Sequence, residues 1–158
     1  MSAPNHPIRR RDRAQDEAEA LRLLQEAEWG VLATVDAEGW PYAVPLNHAV
    51  VDGALIVHCA TKGHKLDNLA FNPKVSYCAV ALAEPIPAEL ATRYASVIIF
   101  GRAELVEDEA EKRGALRALG LRFAPDHADV VEREIGKDLF RTVVVRIHIE
   151  RATGKARF

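Results

Sequence analysis

Cysteine is scarce in this chain, with two thiols, Cys59 and Cys78, in 158 residues. Both lie inside apolar, strand-like runs, which small buried thiols explain better than a disulfide framework does, and which suits a reducing cytoplasm. No apolar run approaches the ~20 residues of a membrane-crossing helix, and no signal-peptide pattern opens the chain. Neither sign of charge dominates. The 21 Lys+Arg and 23 Asp+Glu give a net charge of -2, which argues against a nucleic-acid-binding stripe over the whole molecule but is compatible with a local anion pocket. Internal repeats and low-complexity segments are missing too. What is present is an apolar share of 49%, typical of a globular protein, in a chain long enough for one core and too short for two ordinary domains.

Residues 1–12 carry Pro4, Pro7 and most of a basic run, Arg9, Arg10, Arg11 and Arg13, and read as a flexible, solvated arm. A single domain over residues 13–158 follows. Helical spacing sets in from Asp12, with Ala14, Ala18, Leu21 and Leu24 on one face and Gly30 as the expected stop. Strands are expected over residues 31–35, 40–50 and 54–60, a meander turned at Asp36 to Gly39 and at Asp52-Gly53. Pro41 and Pro45 each remove a backbone donor, so the second strand should be an edge or bulged. A strand at 75–82, a proline-stiffened surface connector at 84–87 and a strong strand at 94–106 come next, with Gly101 marking a bulge. Asp108 and Glu111 form a capping box for a helix expected to stop at Gly120, and residues 128–135 suggest a short second helix. Over residues 142–150, Val143, Val145, Ile147 and Ile149 alternate with polar partners, and a turn at Thr153-Gly154 should lead to a last short strand. The pattern is that of one antiparallel barrel with helices around it.

The most telling stretch is VHCATKGHKLDNLAFNP, residues 57–73. An apolar strand runs into a polar loop and then into an amphipathic helical turn. Loop and helix-start amides offer donors there, and Lys62, His64 and Lys65 add charge or directional hydrogen bonds around the same spot, as an anion site requires. Two further segments could converge on it. Residues 39–47 bring Pro41, Pro45 and aromatic side chains that could flank a ring, although Trp40 and Tyr42 are read first as packing. Residues 92–96 bring Arg93, a bidentate fork unless it is an ordinary surface arginine, and the hydroxyl of Ser96. His48, His127 and His148 look ordinary. Metal binding is not expected, because His58 and Cys59, adjacent on a strand, project to opposite faces. A hydrolytic triad lacks both a nucleophile elbow and an acid-paired histidine.

Taken together, these pieces resemble the flavin-binding split-barrel superfamily of pyridoxamine 5'-phosphate oxidase, in its nitroimidazole-resistance branch. The resemblance is carried by Arg10-Arg11-Asp12-Arg13, by GWPYAVPLN (39–47), by HCATKGHKLDNL (58–69), by NPKVS (72–76) and by TRYASVIIFGRA (92–103), in the family's order over most of residues 9–106. It implies a mainly β fold with flanking helices, a six-stranded antiparallel split barrel that forms a homodimer and holds FMN at the subunit interface. Pro45, Leu46 and Asn47 would then lie beside the isoalloxazine ring, and Ala60, Thr61 and Lys62 along the ribityl chain. His64 and Lys65 would meet the phosphate, with Ser96 and Arg93 completing the site. The resemblance further implies an oxidoreductase passing electrons through the flavin to a small planar substrate, with NAD(P)H a candidate donor and His64 a candidate proton donor. The alternative is a flavin- or haem-binding protein that stores, senses or shields its ligand without turnover. An arginine-rich patch for a vitamin B6 phosphate is missing, as is the oxidase's carboxy-terminal motif, which argues against pyridoxamine 5'-phosphate as substrate.

Overall fold

Asp16 sets where the first helix begins. Its side chain accepts a hydrogen bond from the Glu19 amide at 2.8 Å, which caps α1 (Glu17–Glu26) and leaves Ala14–Gln15 extended as β1. In this computed structural model, which describes residues 2–158, the helix starts later than the spacing from Asp12 predicts, and it buries Ala20, Leu23 and Leu24 instead of Ala14 and Ala18. Residue 1 of the predicted arm lies outside the described residues. The remaining elements are β2 (Trp29–Val35), β3 (Pro41–Asn47), β4 (Ala49–Val51), β5 (Ala54–Ala60), α2 (His64–Phe71), β6 (Lys74–Ile86), β7 (Ala91–Leu105), α3 (Glu109–Phe123), α4 (Ala128–Asp138) and β8 (Thr142–Arg157). None of these helices is long and apolar enough to cross a membrane.

All eight strands join one antiparallel sheet in the order β3-β2-β6-β7-β8-β5-β4, with β1 paired to β8. The expected count of six is therefore corrected to eight, because Ala14–Gln15 adds a short edge and His48 splits the predicted strand at 40–50 in two. That split defines the architecture. β3 and β4 are the two ends of the sheet, yet only His48 separates them in sequence, so the sheet must curl until its ends meet. No ladder joins β3 to β4 across this seam, and the result is a split barrel with flanking helices, as the resemblance implies.

The long strands β6, β7 and β8 form the trunk, and their ladders carry the strands further than local pattern suggests. Residues 84–86, expected in a connector, pair with Ala91, Thr92 and Arg93, so only residues 87–90 turn the chain. Gly101 sits at a register shift, as predicted; a Cβ there would lie 2.3 Å from the His148 carbonyl oxygen. Gly154 makes no turn, since β8 runs through it and α1 packs so closely that a Cβ would lie 3.1 Å from that of Ala20. Gly30 does not stop α1 either. It lies within β2, where the Tyr77 ring crosses it and would meet a Cβ at 2.3 Å. Inside the barrel, Leu32, Leu55, Val57, Tyr77, Val97, Ile99, Val145 and Ile147 form one core with Ala20, Leu23 and Leu24 of α1. Outside it, Ile56, Val106 and Val144 pack with Ala115 of α3, so β5 is buried on both faces.

The seam is held by side chains. His48, wholly buried, stands with Nε2 2.7 Å from the Leu24 carbonyl and Nδ1 2.9 Å from the Tyr77 hydroxyl, whose oxygen also lies 2.7 Å from the Leu46 carbonyl, so the neutral ring donates to Leu24 and the phenol proton is shared between Nδ1 and Leu46. Arg122 of α3 donates to the carbonyls of His48 (2.9 Å) and Gln25 (2.8 Å). Burial pushes His48 down to about 4 and the Tyr77 phenol well above its ordinary value, so both are neutral at pH 7. His48, which looked ordinary in the sequence, locks the barrel closed.

Candidate functional site

β3 is the free edge of the sheet, which is where two prolines can sit without breaking a ladder. Along it Pro41, Ala43, Pro45 and Asn47 face outward and are exposed, while Tyr42, Val44 and Leu46 turn inward and are half-buried. Of the three β3 residues predicted beside a ring, Pro45 and Asn47 therefore share a face and Leu46 belongs to the core packing.

At the end of β5, Ala60, Thr61 and Lys62 are exposed, and the chain turns through Gly63 at φ 138° into α2. No side chain caps this helix. Its first bonds run from the Leu66 and Asp67 amides back to the Gly63 carbonyl, which leaves the amides of His64 and Lys65 available to an anion. Among the described residues neither Lys62 nor Lys65 has a carboxylate within 4.0 Å. A Cβ at Gly63 would find open space within 4 Å. An uncapped helix start, two cations without partners and an unobstructed approach fit a phosphate-bearing cofactor.

Buried polar contacts tie this loop to β3. Asn68 of α2, 2% exposed, donates to Thr34 Oγ1 at 2.9 Å, and Thr34 in turn donates to the Tyr42 carbonyl at 3.5 Å. The rings of Tyr42 and His64 lie 4.2 Å apart between centroids. Asn68 belongs to the quoted motif, but its anchoring role was missed, because it depends on which strand the helix covers. Lys65 also acts inward. Burial first, and the Lys65 charge second, hold His58 below its ordinary value, while burial outweighs Lys65 and raises the Cys59 thiol. Cys59 is thus no thiolate nucleophile. The expectation of two buried thiols is corrected, since Cys59 is half-buried and Cys78 is exposed on the outer sheet face. No metal-competent cluster of His, Cys, Asp and Glu occurs among the described residues.

The structure does not bring the third predicted segment to this loop within one chain. Ser96 pairs with Lys155 and Val80 near the start of β7, and Arg93 is engaged with Glu84 at 3.6 Å. Ser96 lies nine residues, roughly 30 Å of strand, from the Leu105 end of β7, the end toward which β5 delivers residues 61–65. A cleft of about 470 Å³ opens beside Asn47 and His58, walled by Leu119 and Phe123 of α3 and Ile135 of α4. Sequence reading found both helices but not this cleft. Gly120, expected to end α3, lies inside it, and a Cβ there would meet Val131 of α4 at 2.6 Å.

The profile of the family described as pyridoxamine 5'-phosphate oxidase matches residues 16–156. The chain belongs to that family. No curated protein matches it. Among solved structures, a conserved hypothetical protein from Mycobacterium tuberculosis superposes with a TM-score of 0.79 at 24% identity, covering 95% of this chain and 90% of the other. A candidate 5-nitroimidazole antibiotic resistance protein from Bacteroides thetaiotaomicron reaches 0.74 at 23% identity, over 89% and 84%. These two likenesses show the fold alone. A FAD- and haem-binding protein from Mycobacterium smegmatis also reaches 0.74, at 26% identity over 91% of this chain and 73% of its own.

Proposed function

We propose that this family member binds FMN between two copies of the chain and works as an oxidoreductase on a small planar substrate. The observation that carries the reading is the pairing of the Lys62–Lys65 cations and the open start of α2 with the exposed proline edge of β3, the two locked in place through Asn68, Thr34 and Tyr42. The phosphate would sit at the amides of His64 and Lys65. Pro45 and Asn47 would offer the ring a flat strand face, with Leu46 supporting it from below. Ala60 and Thr61 would border the chain between the two ends. His64, stacked near Tyr42, would donate an N–H toward the phosphate or a proton toward the substrate. When bound, the flavin supplies the electron transfer itself, and the protein supplies placement and charge.

Two copies are supported by the outer face of the sheet. Trp29, Val80 and Ile98 are 55%, 51% and 41% exposed there, with Cys78 beside them, an exposed apolar patch that a partner could cover. A partner docked on this face would bring its own Ser96 and Arg93 toward the cofactor, which one chain alone leaves distant. NAD(P)H would serve as the reductant.

Purified protein should be yellow or should take up FMN on titration, and Lys65→Ala should weaken that binding by ~1–3 kcal/mol. A protein that refuses FMN ends this reading. A second reading, ligand binding without turnover, draws on the likeness to the protein that binds FAD and haem. A Soret band, or a flavin that dithionite reduces while nitroimidazoles and quinones fail to reoxidise it, would decide for that one.

A further inference from the structure

Around the start of β7 and the end of β8, Arg13 and Lys155 stand out as cations with little or no carboxylate to balance them. Arg10 forks onto Asp12 at 2.9 and 2.6 Å, Arg93 faces Glu84 at 3.6 Å, and Arg157 faces Glu89 at 3.4 Å. Arg13 has only a share of Asp12, at 3.9 Å, and Lys155 has no carboxylate within 4.0 Å among the described residues. Both converge on Tyr94. Arg13 Nη1 donates to the phenol oxygen at 3.4 Å, and Lys155 Nζ stands 5.6 Å from the ring centroid.

The ladder produces this meeting. Ala14, next to Arg13, pairs with Lys155; Lys155 pairs with Ser96; and Tyr94 follows Ser96 at the two-residue period that keeps side chains on one face. Two cations held around one ring, with only a shared and distant carboxylate at Arg13, repel each other, a cost that an anionic ligand would reduce. Tyr94 accepts from Arg13 and keeps its own O–H free to donate. The Arg13 hydrogen bond, with Lys155 adding to it, holds the phenol below its ordinary value, so the patch already favours negative charge.

We propose that Arg13, Tyr94 and Lys155 form a binding site for a phosphate monoester on the outer sheet face beside Ser96. The guanidinium and ammonium match a dianion in charge, and the Tyr94 and Ser96 hydroxyls add directed donors. The site goes beyond the flavin reading, which uses neither Arg13 nor Lys155. It also gives the last arginine of the basic run a task, since pairing of β1 with β8 carries Arg13 into place. The phosphate could belong to a flavin held by a second copy or to a separate phosphorylated molecule.

Inorganic phosphate, added to the cofactor-free full chain, is the probe. The tyrosinate absorbance is followed against pH, with Tyr94→Phe giving the background. Phosphate should move the Tyr94 midpoint upward and saturably, and chloride at matched ionic strength should not. Arg13→Gln and Lys155→Gln should each weaken phosphate about tenfold, and Arg13→Lys should restore part of the loss. FMN titration of the same variants then separates the sources. Weakened FMN binding assigns the site to the flavin phosphate, and unchanged FMN binding assigns it to another phosphate ester. If wild-type protein takes up no FMN yet keeps the phosphate response, the flavin reading fails and the site stands. A shift equalled by chloride, or one that survives both glutamine substitutions, overturns the proposal.

Discussion

Along β6, β7 and β8 the strands are held by long backbone ladders, whereas between β3 and β4 there is no ladder and buried side chains close the barrel instead. The trunk distributes its stability over many modest interactions. The seam concentrates it in His48, Tyr77 and Arg122, and the neighbouring Asn68–Thr34 contact does the same for α2. The candidate cofactor residues of β3 and of the loop into α2 lie on the seam side, where one polar group can set the position of an edge strand or a loop, whereas Arg93 and Ser96 belong to the trunk. Placement of ligand groups and closure of the fold are therefore coupled there, and a trunk mutation should alter stability without altering the site.

The largest effect should come from the trunk. Ile99→Ala removes a fully buried side chain and should cost about 2–5 kcal/mol in chemical denaturation. The FMN affinity of the folded fraction should be unchanged, and a parallel loss of affinity would dissolve the contrast between the two regions. The seam should answer to pH. His48 titrates near 4 in the fold and near 6.5 when unfolded, so between these values the unfolded chain binds the extra proton. Stability from this residue is complete above pH 6.5, is lost as pH falls, and is fully lost below about 4. The gap between these two values corresponds to about 3 kcal/mol. Denaturation midpoints measured between pH 7 and 4 should show that slope, and His48→Asn should flatten it.

Asn68→Ala should cost about 1–2 kcal/mol by leaving its buried partner Thr34 short of a donor. It should also weaken FMN more than its distance from the ligand suggests, through the freed loop; an unchanged FMN affinity would mean that α2 is anchored otherwise. The smallest effect is expected at Arg117, whose exposed ion pair with Glu132 joins α3 to α4. Arg117→Gln should change stability by about 0.5 kcal/mol or less in thermal melts.

Much of this was legible in the chain because it is local. Asp108 caps α3 as its spacing to Glu111 announces, the Gly101 bulge occurs where predicted, and Pro41 and Pro45 fall on an edge strand. The misread glycines share one cause. Gly30, Gly120 and Gly154 read locally as stops or turns, yet each is a point where a distant side chain or helix comes too close for a Cβ. Their partners, Tyr77, Val131 and Ala20, are invisible to a window of neighbouring residues. The same holds for His48 and Asn68, whose burial is decided by elements far away in sequence.

The sequence by itself determined the alternation that makes strands, the caps and prolines that bound them, and the clustering of Lys62, His64 and Lys65 around the start of α2, since each depends on residues within a turn or a strand of one another. Only the tertiary structure decided that the sheet has eight strands with a one-residue seam, that Cys78 faces outward, that Ser96 lies far from Lys65, and that Arg13 and Lys155 meet at Tyr94. Register and curvature are set by pairings across the whole chain, and a pairing is a property of two segments that neither carries alone.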